Sequence, residues 1–158
     1  MKLTTFFMLA TLAISSNGNS QTTDSNSDKN ITSADQLLIA LTDPQGLQNF
    51  KIKDADLAGA SIDAWLCYHS SFENVDFTSG FWRFSRVTRF CNFTDSVADH
   101  ATFEGWFVSQ QFTRTSLRGA TFILDPRSNV TFKDCDLEGA TIIDNGAVVK
   151  IENSQMSG

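Results

Sequence analysis

Hydrophobic residues recur along this chain every five positions. From Ile52 the count passes Leu57, Ile62, Cys67, Phe72, Phe77, Trp82 and Val87, then slips by one residue to Phe93, Ala98 and Phe103. It regains its first register at Phe107, Phe112, Leu117 and Phe122, crosses Arg127, and continues through Phe132, Leu137 and Ile142. Two positions before many of these stands a small residue: Ala55, Ala60, Ser70, Gly80, Ser85, Ala101, Thr115, Ala120, Ala140. An amphipathic helix repeats at about 3.6 residues and a strand at about 2, so neither accounts for the pattern. The period predicts a chain that turns a corner every five residues, with the large and the small residue inward and the other three outward. This is a short-period solenoid, in which each coil needs its neighbours to bury its inner face.

Some of the units share more than spacing. Ala55-Asp56-Leu57-Ala58-Gly59, Thr115-Ser116-Leu117-Arg118-Gly119 and Cys135-Asp136-Leu137-Glu138-Gly139 resemble the A(D/N)Lxx unit of the pentapeptide repeat proteins. The resemblance runs from about Phe50 to Ile142. It implies an all-β solenoid, a right-handed quadrilateral β-helix of about five coils, with four five-residue faces per coil and coils about 4.8 Å apart. Stacked on that plan, three inward columns are almost wholly apolar: Ile52, Phe72, Phe93, Phe112, Phe132; Leu57, Phe77, Ala98, Leu117, Leu137; and Ile62, Trp82, Phe103, Phe122, Ile142. A fourth, Cys67, Val87, Phe107, Arg127, Ala147, breaks at Asp125-Pro126-Arg127. A bulged or looped corner is expected there, because proline cannot donate a ladder hydrogen bond. The phenylalanines are read as a stacked core rather than a cofactor box.

The ends divide the rest of the chain. Residues 1–20 read as a signal peptide: Lys2 starts a positive region, Phe6 to Ile14 is an apolar run too short to span a bilayer, and Gly18 and Ser20 precede a mature start at Gln21. Residues 21–32 are polar and read as a flexible leader. Residues 33–49 read as an N-terminal cap helix and its connection, and the helix is expected over Ser33 to Thr42. Ser33-Ala34-Asp35-Gln36 is a capping-box start, Leu37, Leu38, Ile39 and Leu41 supply an apolar face, and Asp43-Pro44-Gln45-Gly46 stops it. Such a helix covers strand edges that would otherwise invite aggregation. The solenoid is expected over 50–152, with a tail over 153–158. The far end, near Val148 to Ile151, shows no cap, and the resemblance implies that an uncapped C-terminal coil can pair with its copy as a homodimer.

Charge and cysteine usage narrow the chemistry. A net charge of −6 argues against non-specific nucleic-acid binding over the whole surface, which needs a positive field. The three cysteines are widely spaced, with no CxxC, and His69 and His100 make no metal spacing with them. No metal or other cofactor is expected. The cysteines fall at or near inward positions and read as buried thiols. Cys67 and Cys91 are the only two whose coils come near each other, so a disulfide between them stays open.

The stretch Gly80 to Phe93, GFWRFSRVTRFCNF, interleaves aromatics with arginines, as nucleic-acid strips do. The repeat sorts it differently. Trp82 and Phe93 fall inward, Gly80 is a small inward partner, and Phe90 is ambiguous at the slip. Arg83 lies in a column with Asp63 and Glu104. Two further charge ladders are expected, Asp99–Arg118–Glu138 and Asp95–Arg114–Asp134. Phe81 and Phe84 are expected to point outward, Arg86 to lie one coil below Trp106 as a cation–π pair, and Arg89 to stand above His69 with no carboxylate near. Aromatics and arginines on a surface are the usual anchors of a protein interface, so Phe81, Phe84, Arg86, Arg89 and Trp106 are the candidate binding residues.

A solenoid with a filled core offers no concave pocket, and no nucleophile–base set is suggested by spacing, so no enzyme is expected. The reading is an exported scaffold that binds a protein partner in the cell envelope or outside the cell. The resemblance supplies an alternative, since some pentapeptide repeat proteins imitate a DNA duplex and bind DNA gyrase. The signal peptide and the mixed outward charges count against it.

Overall fold

The computed structural model describes residues 30–41, 47–64 and 67–157. The signal peptide and nearly all of the leader lie outside them, as does the expected helix stop at 43–46. The first half of the chain supplies β1 (Asn30–Ser33), α1 (Ala34–Leu41), β2 (Leu47–Gln48), β3 (Lys51–Asp56), β4 (Ser61–Ala64), β5 (Cys67–Tyr68), β6 (Ser71–Glu73) and β7 (Phe81–Arg89). Then follow β8 (Asn92–Thr94), β9 (Thr102–Val108), β10 (Gln110–Thr113), β11 (Thr121–Leu124), β12 (Asn129–Lys133), β13 (Thr141–Ile143) and β14 (Val148–Glu152).

These strands stack in parallel into an all-β solenoid of about five turns with one short helix. One sheet runs β1-β3-β6-β8-β10-β12-β14, and a second runs β13-β11-β9-β7-β5-β2, with β4 also paired to β7. A third ladder is made of single bridges: Asp56, Asp76, Val97, Ser116, Asp136 and Gln155 each pair with the next. The first inward column is observed as expected: Ile52 faces Phe72, Phe72 faces Phe93, Phe93 faces Phe112, and Phe112 faces Phe132. Its rings stack nearly parallel, at 4.6 Å for Phe72–Phe93 and 4.5 Å for Phe93–Phe112. Rings of neighbouring columns meet edge to face, as Phe122 meets Phe132 at 4.9 Å. A buried phenylalanine removes about 150 Å² or more from water, so this ladder is the main source of stability.

Corners are set by backbone handedness. Left-handed residues line up between coils: Asp54, Asn74, Asp95, Arg114, Asp134 and Asn153 form one column, and Gly59, Ser79, His100, Gly119 and Gly139 another. Asn, Asp and Gly tolerate this conformation best. The buried small residues add polar work. Ser96 Oγ donates to the Thr94 carbonyl at 2.9 Å and accepts from Val75 N–H one coil below at 3.1 Å. Ser154 does the same with Glu152 and Cys135.

Several expectations are corrected. The leader does not stay outside the fold up to residue 32: Asn30 pairs with Lys51 and Ile31 with Ile52, and Ile31 is buried because it extends the first column. Ser33 caps α1 by accepting from Gln36 N–H, while the Gln36 side chain reaches Thr32 N–H at 2.8 Å. Leu37 is buried, but Ile39 is exposed and not part of the covering face. At the other end the tail continues the ladder, with Leu137 N–H donating to Gln155 O at 2.7 Å and Gly139 N–H to Ser157 O at 2.9 Å. The turn at Pro126–Arg127 is present as expected, closed by Ser128 N–H donating to Asp125 O at 3.0 Å.

The largest departure is β7. Four equal faces would put a corner near Phe84, but no residue from Phe81 to Arg89 is left-handed. Phe84-Ser85-Arg86-Val87 offers neither Gly, Asn nor Asp, so the chain runs straight through as one nine-residue strand. Strand alternation replaces the five-residue period. Thr88, not Val87, enters the fourth column opposite Phe107, and Ser85 is exposed rather than inward. Against β9, Phe84 pairs with Gly105 but Thr88 with Phe107, so β7 carries two extra residues between them.

Candidate protein-binding surface

The straight strand decides where the candidate residues lie. Phe81 begins β7 between Ser61 and Thr102 and is 39% exposed, as expected. Phe84 is not on the surface: it is 2% exposed and packs edge-on against Phe107 at 5.3 Å. Alternation from buried Trp82 turns Phe84 inward, and Gly105 makes room, since a Cβ there would come within 2.4 Å of the Phe84 carbonyl oxygen. The Arg86 side chain, and with it the expected cation–π pair, lies outside the described residues. Trp106 is half-buried and walls a notch of about 240 Å³ with Asp125, Pro126 and Arg127. Its indole Nε1 is buried without a hydrogen-bond partner.

Arg89 is exposed, and no carboxylate pairs with it among the described residues. Its strand neighbour is Tyr68 rather than His69. It adjoins a cluster that the five-residue count left unassigned. Phe90 is 44% exposed and stacks on His69 at 4.9 Å, with the rings 15° apart. Tyr68 meets His69 edge-on at 4.3 Å and Phe90 at 6.1 Å. Both His69 and Phe90 have left-handed backbones, with φ of 50° and 54°. For a bulky residue such as phenylalanine this is an outlier. Asn49 below and Ser109 above share the conformation, so a corner column imposes it. Tyr68, His69, Arg89 and Phe90 therefore form an aromatic corner with one cation. The only sequence signal for it was the register slip.

Arg83, Arg114 and Arg118 are paired with carboxylates. Arg83 binds Asp63, and that hydrogen bond raises its pKa. Arg114 grips Asp95 with two bonds of 2.6 and 2.8 Å and holds its carboxyl below the usual range. Arg118 reaches Glu138 at 3.4 Å, as expected, and its backbone N–H donates to Asp99 at 3.0 Å. Its shortest contact is Asp136 at 2.6 Å, a partner outside the expected ladder. The Asp136 carboxyl is lowered first by Glu138 N–H and then by Arg118. Lys53 pairs with Glu73 at 3.0 Å.

Among the described residues no cluster of His, Cys, Asp and Glu could hold a metal, and no helix is long and apolar enough to cross a membrane. All three cysteines are buried. Cys135 donates to the Lys133 carbonyl at 3.3 Å, in the role that serine takes elsewhere.

No family model matches the chain, and no curated protein does. Among solved structures, a trypsin-treated form of QnrB1, a plasmid-mediated fluoroquinolone resistance protein, aligns over 70% of this chain and 82% of its own, at 12% identity and a TM-score of 0.17. The solenoid assignment rests on the strand pairing above rather than on that overlap.

Proposed function

We propose that this protein is an exported, non-enzymatic scaffold of the pentapeptide-repeat kind that binds a protein partner in the cell envelope or outside the cell. The single observation that supports this reading is the aromatic corner. The corner column holds Phe90 in a left-handed conformation that costs a non-glycine residue about 1–2 kcal/mol. Phe90 carries it while leaving its ring half in solvent, beside Arg89, which pairs with no carboxylate among the described residues. Rings and arginine together form the usual centre of a protein interface. Phe81 extends the surface along β7.

The test has two parts. The protein is recovered from separated fractions of its host and its N-terminus is read; a chain beginning near Gln21 in periplasm or medium is expected. A photo-crosslinker at position 90 is then expected to trap one partner, with loss on Arg89→Glu and no trapping of that partner from position 143, where a second copy of the chain is expected instead. A chain starting at Met1 and confined to the cytoplasm overturns the reading.

A DNA-mimicking protein that binds gyrase is the second reading. It is favoured by two acidic columns, Asp54–Asp95–Asp134 and Asp56–Asp76–Asp136. Duplex DNA carries a negative charge about every 1.7 Å, whereas these six carboxylates on five coils about 4.8 Å apart supply one only about every 4 Å before Arg114 and Arg118 subtract from them. Inhibition of purified gyrase by the full chain would favour it over the first reading.

We also propose a homodimer through the C-terminal coil, supported by Ile143, Val148, Ile151 and Met156, all exposed at the open end. Val148→Lys is expected to halve the mass seen in sedimentation, and a wild-type monomer would refute the proposal.

A further inference from the structure

We infer that Cys67 and Cys91 are joined by a disulfide that closes as the first coils assemble. Both side chains are wholly buried, and their sulfurs lie 2.7 Å apart, facing each other across one coil step. The lengthened β7 brings this about. Register sets Tyr68 beside Arg89, so Cys67 stacks under Thr88. Cys91 then takes the small inward position of the next face, above Ser70 and below Gln110, diagonal to Cys67. Cys135 sits in another column, bonded to the carbonyls of Phe112 and Lys133.

The chemistry is thiol–disulfide exchange with a disulfide oxidant. One cysteine thiolate attacks the oxidant and expels its first thiol. The second cysteine, deprotonated, then attacks the mixed disulfide at the first cysteine's sulfur and expels the other thiol. Two cysteine thiols are oxidised, one oxidant disulfide is reduced, and two protons pass from the cysteines to the departing thiols. Burial, and then the bond to Cys91, pushes the Cys67 thiol well above its ordinary value. Thiolate is therefore scarce in the finished fold, and exchange belongs to the stage before the coils close. Once formed, the bond is shielded from reductants by the same burial.

The full chain is denatured, reduced and refolded with reduced and oxidised glutathione, then unfolded without reductant and alkylated. The expected product is lighter by two hydrogens, takes up one alkyl group at Cys135, and yields a peptide pair linking Cys67 to Cys91. The Cys135→Ser variant is expected to form the same bond. Its unfolding midpoint is expected to fall by about 10 °C on reduction. Three alkylated cysteines, a link through Cys135, or an oxidised form that melts below the reduced one would overturn the inference.

Discussion

Gln110 to Leu137 and Phe81 to Phe90 lie in the same solenoid and obey different rules. In the first region a left-handed residue stands at each turn, at Arg114, Gly119, Arg127 and Asp134, and the strands keep register, with Phe112 on Phe132 and Phe122 on Ile142. In the second, no left-handed residue lies between Ser79 and Phe90, so a corner is lost, a strand lengthens, and alternation takes over. The next corner, in the column of Asn49, His69 and Ser109, then falls on Phe90, which suits it poorly. In this fold the corner residues choose which side chains enter the core, and the core accepts what it is handed. Phe84 and Thr88 are buried because no corner intervenes.

The sharpest way to break this contrast is in the ladder. Phe112→Ala is expected to lower stability by about 3–5 kcal/mol in urea unfolding, because it opens a cavity between stacked rings. Phe81→Ala should cost about 1 kcal/mol or less. Equal losses would mean that β7 is as tightly committed to the core as the regular coils.

Glycines refine the point. Gly105→Ala places a Cβ against the Phe84 carbonyl at φ 136° and is expected to cost about 3 kcal/mol or more. Gly59→Ala, with open space around it at φ 67°, should cost only about 1–2 kcal/mol. A smaller loss at Gly105 than at Gly59 would show that the bulge can relax.

Phe90→Asn asks whether the strained ring serves the fold. Asparagine tolerates the conformation, so the expected change is from none to a gain of about 1 kcal/mol, offset by the lost stack on His69. A loss of roughly 2 kcal/mol or more would make Phe90 a core residue rather than a binding one.

The smallest effect concerns the charge columns. Arg114 depresses the Asp95 carboxyl, so the folded pKa lies below the unfolded one. The resulting stability is present above the ordinary carboxylate value and is lost as pH falls through the folded pKa. Arg114→Gln should melt slightly earlier than wild type near neutral pH, and the difference should shrink as pH falls below the ordinary carboxylate range. A difference that persists in acid would point to packing by the arginine stem instead.

Much of this was legible in the chain. Three of the four inward columns and the pairing of Arg83 with Asp63 follow from the five-residue count, and the helix and the turn at Pro126 from local capping and turn residues, because each depends on spacing along the chain. Only the tertiary structure decided the rest. Whether Phe84 points in or out turns on a corner that forms or fails through neighbours above and below. Ile31 joins the core because Ile52 waits on the next coil, and Arg118 finds Asp136 across coils. The approach of Cys67 to Cys91 depends on the one extra residue that β7 carries against the coil below. Periodicity specifies side-chain direction only while the corners hold, and corners are settled by stacking between coils that lie about twenty residues apart.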